Sequence, residues 1–191
     1  MLTPFAIPIW QETLPNFAIK KDRLLRAVDN FVANNPSSEN KSNYRGYQSP
    51  PMAQTVPEFA ELFDFICAMT VKAATDAGLQ YKNITAIGWV NINNTRQAMN
   101  RQHIHDDVFS GICYINAPEG SGKLSIVNPG MNCMWKGFNL PKTSNQYNTD
   151  AVTFVPIEGN FLLWPSYLPH SVDTNDHDDV RISIAFNILL E

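Results

Sequence analysis

From Thr85 onward the chain is written in short β-rich segments broken by Gly, Pro and Asn, and this grammar constrains its fold more than any other feature. The segments are Thr85 to Asn93, Phe109 to Asn116, Lys123 to Val127, Ala151 to Pro156, Asn160 to Trp164 and Val180 to Leu190. Strands of this number and length predict a mainly β (α+β) protein built as a jelly-roll-like barrel, with helices packed on one outer face.

The helices are expected upstream. Leu24, Leu25, Val28, Phe31 and Val32 fall at helical spacing and predict an amphipathic helix from Phe17 to Val32, stopped by Asn34-Asn35-Pro36. A second helix is expected from Val56 to Ala77, with Pro57 in its first turn, a stripe through Phe59, Leu62, Phe63, Ile66, Met69 and Ala73, and Gly78 as its stop. Pro36 to Pro51, rich in Ser, Asn and Pro, reads as a loop. Met131 to Asp150 reads as a longer loop over the barrel mouth, since loops of that length usually serve as lids or binding segments. The expected organisation is one domain over 1–191, with 1–84 as N-terminal strand and helical support and 85–191 as barrel core.

Composition narrows the function classes. A net charge of -4 with scattered Lys and Arg gives no basic stripe, so nucleic acid is not an expected partner. No apolar run approaches the roughly 20 residues that span a bilayer, and no signal-peptide pattern opens the chain. The expected location is therefore cytoplasmic, in a bacterial or phage-infected host cell, with the oligomeric state left open. Cys67, Cys113 and Cys133 lack Cys-x-x-Cys spacing and read as small buried hydrophobes, not as disulfide or zinc ligands.

The chemistry lies in an ordered constellation. His103-Ile104-His105-Asp106-Asp107 precedes one strand, His170 follows Trp164-Pro165-Ser166-Tyr167-Leu168-Pro169, and Arg181-Ile182-Ser183 opens the last strand. Residues two apart on extended backbone share a side, so His105 and Asp107, or His103 and His105, could reach one ion. Two imidazoles and one carboxylate can form a facial triad on Fe(II), with positions left for a chelating co-substrate and O₂. Arg181 stands in an alternating apolar strand. If it faces inward, the cost of burying a guanidinium implies an anion beside it, and Ser183 faces the same way. A second His-x-Asp, His177-Asp178-Asp179, sits in an acidic run that reads as a solvated turn.

These residues resemble the 2-oxoglutarate and Fe(II)-dependent oxygenase superfamily, in particular a prolyl-hydroxylase-like branch of bacterial and phage oxygenases. The resemblance extends to Ile7-Pro8-Ile9-Trp10, Ser110-Gly111-Ile112-Cys113-Tyr114-Ile115, Gly122 to Gly130 and Gly159 to Ser166, and is most specific from Gly88 onward. It implies a double-stranded β-helix (jelly-roll) barrel with two supporting N-terminal helices. It also implies Fe(II) held by His105, Asp107 and His170, with His103 as the alternate ligand. Arg181 and Ser183 would hold the far carboxylate of 2-oxoglutarate, and Asn93 and Tyr114 are further candidates for binding it. The implied reaction consumes O₂, with ascorbate a candidate reductant, and hydroxylates an amino-acid side chain, free or in a protein, or a small metabolite, releasing succinate and CO₂. Two other readings stay open: a cupin-like metalloenzyme using His103, His105 and His170 without a keto acid, and a non-enzymatic jelly-roll binding or virion-associated protein.

Overall fold

The computed structural model describes residues 6–130, 145 and 148–191. Among them eleven strands form two antiparallel sheets. β1 (Trp10–Thr13), β3 (Tyr47–Gln48), β4 (Ile84–Asn93), β6 (Phe109–Asn116), β9 (Asn160–Pro165) and β11 (Arg181–Leu190) make the first, in the order β1-β9-β6-β11-β4-β3. β2 (Asn43–Tyr44), β5 (Met99–His103), β7 (Leu124–Val127), β8 (Ala151–Phe154) and β10 (His170–Val172) make the second, in the order β2-β5-β10-β7-β8. This is the jelly-roll the strand grammar predicts, built as two facing sheets.

β11 is the spine of the larger sheet. It pairs with β4 along its whole length and with β6 on its other side, so its two faces sort the molecule. With a side-chain period of two, Ile182, Ile184, Phe186 and Ile188 share one face and Arg181, Ser183, Ala185 and Asn187 the other. The isoleucine face joins Val90, Cys113, Ile115, Phe161 and Leu163 in the main core, packed under α1 (Phe17–Asn34) and α2 (Ala60–Asp76). The opposite face belongs to the space between the sheets, where Ile112, Tyr114, Leu162 and Trp164 meet Leu124, Ile126 and Val172 of the smaller sheet.

Both helices lie where their apolar spacing puts them. α1 buries Leu24, Ala27, Val28 and Phe31, and α2 buries Leu62, Phe63, Ile66, Met69 and Ala73. The start of the second helix is tighter than expected: Pro57–Phe59 form a 3₁₀ turn before the α-helix begins. Proline, with its fixed φ and missing N–H, suits such a first turn. α2 packs closely on β4 because Gly88 has no side chain, and a Cβ there would stand 2.5 Å from Cζ of Phe63. Gly78, at φ 67°, follows the helix in the left-handed region that glycine enters without penalty.

The segment Pro36–Pro51 departs from the loop expectation. It contains β2 and β3, two residues each: Asn43 and Tyr44 pair with β5 in one sheet, and Tyr47 and Gln48 with β4 in the other. The pairing is set by distant partners, which a Ser- and Asn-rich stretch does not advertise. The consequence is a short crossover that ties the edges of the two sheets together beside the site described below. Most of the expected lid, residues 131–144 and 146–147, together with Cys133, lies outside the described residues. No helix among the described residues is long and apolar enough to cross a membrane.

Candidate active site

His103 is the last residue of β5 and His170 the first of β10, and the two are direct partners in the antiparallel ladder of the smaller sheet. His105 follows two residues past the strand end, held by its backbone N–H donating to the Ser166 carbonyl at 3.1 Å. The three rings converge: centroids are 4.8 Å apart for His103 and His105, 4.3 Å for His103 and His170, and 5.3 Å for His105 and His170. One ligand nitrogen from each lies within 4.8 Å of the others.

Two of these imidazoles are oriented from behind. Nδ1 of His103 lies 2.7 Å from the Arg101 carbonyl and Nδ1 of His170 2.9 Å from the Leu168 carbonyl. A carbonyl can only accept, so each Nδ1 carries the proton and each Nε2 keeps a free lone pair, the arrangement that fixes a metal-ligating tautomer. Burial, reinforced by the neighbouring imidazoles, pushes His105 down to about 4 and His170 down to about 3. Burial likewise lowers His103, opposed by its bond to the Arg101 carbonyl. Neutral imidazoles are the protonation state that binds a metal ion.

Asp107 is outside this cluster. The chain has already left β5 and turned toward the larger sheet, where Oδ2 of Asp107 accepts a 2.6 Å hydrogen bond from Nδ2 of Asn187. Asn187 Oδ1 accepts from the Ser110 hydroxyl at 3.0 Å, and that hydroxyl lies 2.8 Å from the Ser166 hydroxyl. The structure thus places His105 among the histidines and sets Asp107 against Asn187 through one carboxylate oxygen. The alternate ligand His103 takes the strand-end position because β5 ends on it, in register with His170.

The same inner cavity contains Arg181 and Ser183. Arg181 is fully buried. Its Nη1 lies 3.4 Å from the Ser183 hydroxyl, and its guanidinium carbon sits 5.2 Å from the Tyr114 ring centroid. Nε and Nη2 have no hydrogen-bond partner, and among the described residues no carboxylate pairs with the guanidinium. Asn93 stands opposite Arg181 on β4, and Asn91 and Tyr114 stand opposite Ser183 on β4 and β6. The Asn93 amide nitrogen, the Asn91 amide oxygen and the Tyr114 hydroxyl are likewise buried without partners. Burial lowers the Arg181 pKa and raises that of Tyr114. An Arg side chain nevertheless stays protonated in proteins, so this end of the cavity is a buried cation waiting for an anion.

His177 stands apart from both groups. Its Nδ1 accepts from the Asp179 backbone N–H at 3.0 Å and Asp178 is exposed, but Nε2 is buried without a partner and the ring packs beside Gly120, so the histidine is less solvated than the acidic run predicts. Sequence reasoning missed Asn187 and the paired serines, although the period-two pattern from Arg181 already places Asn187 on the inner face.

A jelly-roll of two facing sheets, with a cluster of neutral imidazoles at one place in its interior and a buried guanidinium at another, defines a non-haem metal-site protein of the double-stranded β-helix class. The profile of the family described as "Putative 2OG-Fe(II) oxygenase" matches residues 88–187, more than half of the chain, and the chain belongs to that family. Similar solved structures include a Pseudomonas putida prolyl-4-hydroxylase, with a TM-score of 0.65 at 11% identity, covering 97% of this chain and 94% of that one. A Trichoplax adhaerens prolyl hydroxylase in complex with a hypoxia inducible factor peptide fragment gives 0.68 at 13% identity, covering 95% and 83%. HygX from Streptomyces hygroscopicus, solved with nickel and 2-oxoglutarate, gives 0.63 at 13% identity, covering 96% and 83%. At these identities the likeness bears on the fold. Comparison with curated protein sequences gives no match.

Proposed function

We propose that the protein is a hydroxylase that uses Fe(II), 2-oxoglutarate and O₂ and acts on an amino-acid side chain, free or within a peptide. The observation that carries this reading is the fully buried Arg181 guanidinium, its Nε and Nη2 without partners and no carboxylate beside it among the described residues, in the same cavity as the histidine cluster. The donor set fits the groups implied: imidazole suits iron, and a guanidinium flanked by a serine hydroxyl suits a carboxylate.

In this reading His103, His105 and His170 hold the metal, with Asp107 as an anchor through Asn187. Three neutral ligands leave the full charge of the ion uncompensated by protein, which favours an anionic chelator beside it. Arg181 and Ser183 hold the far carboxylate of 2-oxoglutarate, and the Tyr114 hydroxyl and the Asn93 amide complete that end. When bound, iron and the keto acid supply the oxidising power, one atom of O₂ going to succinate and the other to the substrate as hydroxyl. The protein's part is to fix both ends of the co-substrate and keep bulk water away from it.

Substrate has a separate approach. A groove of about 500 Å³ runs beside the β2–β3 crossover and shares Trp89, His103, His105 and Asn187 with the inner cavity. Its walls carry Glu39, Lys41 and Arg101, none of them in an ion pair among the described residues, and the amides of Gln48 and Gln102. Charges of both signs and amide groups beside Trp89 suit an amino-acid or peptide ligand better than a hydrocarbon or a polyanion. The peptide complex of the Trichoplax relative supports the same class.

Anaerobic titration with Fe(II) and then 2-oxoglutarate tests the reading through the weak visible charge-transfer band of the chelated complex. The wild type is expected to develop the band, Arg181→Ala to need far more 2-oxoglutarate, and His103→Ala to lose it, while Asp107→Ala keeps it. Because the histidine cluster alone also fits a cupin-like metalloenzyme that uses no keto acid, metal binding without a band in the wild type would select that second reading.

A further inference from the structure

One buried polar atom on the inner face of the larger sheet is not accounted for by the carboxylate end of the cavity. The indole nitrogen of Trp164 is buried and has no hydrogen-bond partner, in a side chain only 2% exposed. Trp164 lies opposite Ser110 in the β6–β9 ladder, and Ser110 lies opposite Asn187 in the β6–β11 ladder. Arg181 is six residues from Asn187 along β11, about 20 Å at the rise of an extended strand. Trp164 therefore serves the other end of the cavity, the end with the histidines. Its ring meets that of His170 edge to face at a centroid distance of 5.0 Å, and both line the inner cavity.

No protein oxygen lies within hydrogen-bond distance of this nitrogen. The Ser110 and Ser166 hydroxyls bond to each other, and Asn187 Oδ1 takes the Ser110 proton. An indole N–H can only donate, and leaving such a donor buried without an acceptor costs about 1–3 kcal/mol. A phenylalanine would cover the same apolar surface without that cost. An acceptor oxygen on a bound ligand would satisfy this donor.

We propose that Trp164 is a binding residue for the co-substrate: its Nε1–H donates to an oxygen of the chelating 2-oxo-acid end, beside the metal. The cavity then grips the keto acid at both ends, Arg181 and Ser183 at the far carboxylate and Trp164 at the near one. This rests on the oxygenase reading above, and adds to it a contact that chelation alone does not require. It predicts that Trp164 discriminates by the head of the ligand and is indifferent to its length.

The sequence has four Trp residues, so the indole N–H signals of ¹⁵N-labelled protein are few enough to resolve by NMR. With Zn(II) as a diamagnetic stand-in, the Trp164 signal, assigned by elimination, is expected to move downfield and exchange more slowly with water on adding either 2-oxoglutarate or oxalate. Oxalate has the chelating end without the reach to Arg181. Trp164→Phe should bind both ligands about tenfold more weakly, as for loss of a hydrogen bond to a charged acceptor. Arg181→Gln should weaken 2-oxoglutarate while leaving oxalate unchanged. A stationary Trp164 signal at saturation, or unaltered binding in Trp164→Phe, overturns the proposal while the oxygenase reading stands. If Trp89, whose ring lies 5.9 Å from that of His105, also fails to respond because 2-oxoglutarate does not bind, both readings fall together. The wild-type signal decides the matter even where the Phe variant folds poorly.

Discussion

The two faces of β11 are made from alternate residues of one strand, yet they obey opposite rules. The face toward the helices, Ile182, Ile184, Phe186 and Ile188, is apolar and close-packed. The face toward the smaller sheet holds Arg181, Ser183 and Asn187, buried as completely but polar, with the guanidinium only partly satisfied. The comparison shows how the domain divides its labour. The outer layer is packed from apolar side chains alone, whereas the inner layer adds to its own apolar cluster several buried polar atoms without partners, which costs stability.

The comparison is sharpest where one substitution on each face should act oppositely. Phe186→Ala, which removes the ring stacked 5.5 Å from Phe161, is expected to cost about 3–5 kcal/mol in chemical denaturation. Arg181→Leu is expected to leave the metal-free protein as stable as wild type or raise its stability by about 1–4 kcal/mol, while 2-oxoglutarate binding is lost. A destabilised Arg181→Leu would show that the inner face contributes stability after all.

Acid should separate the faces next, since the histidines belong to the inner space and the outer core holds no titrating group near neutrality. With His105 lowered to about 4 and His170 to about 3, the folded chain holds fewer protons than the unfolded one as pH drops below the ordinary histidine value of about 6.5. Stability of the metal-free protein is therefore expected to be fully present above that pH and to fall progressively toward pH 4. Urea midpoints measured at several pH values check this, and a flat profile would mean the rings already carry protons in the fold. The smallest effect is expected at His177→Ala, outside the cavity. Iron affinity there should match wild type in the same titration, and a large loss would move the metal site to the acidic turn.

How much of this was legible beforehand follows from the range of each interaction. The helices and the strand grammar depend on spacing within a few residues, so their positions could be read from the chain. The sheet-to-sheet crossover within Pro36–Pro51 could not, because its two-residue strands exist only through pairing with β4 and β5, some fifty residues away. The same distinction runs through the site. The alternation in Val180 to Asn187 already placed Arg181 and Ser183 on one side and implied an anion.

Sequence by itself determined the jelly-roll, the second-half location of the chemistry, and the order of histidine, distal histidine and arginine. These rest on alternation, turn residues and the cost of burying a charge, all of which act locally. Only the tertiary structure decided which neighbours of His105 share its cluster. His103 and His105, like His105 and Asp107, are two apart and share a side on extended backbone. The choice turns on where β5 ends and on the pairing of His103 with His170. It also turns on Asn187 of β11, whose amide donates to Asp107 where the chain enters the neighbouring strand β6. Register between distant strands is a property of the whole packed domain, so no local pattern could have fixed it.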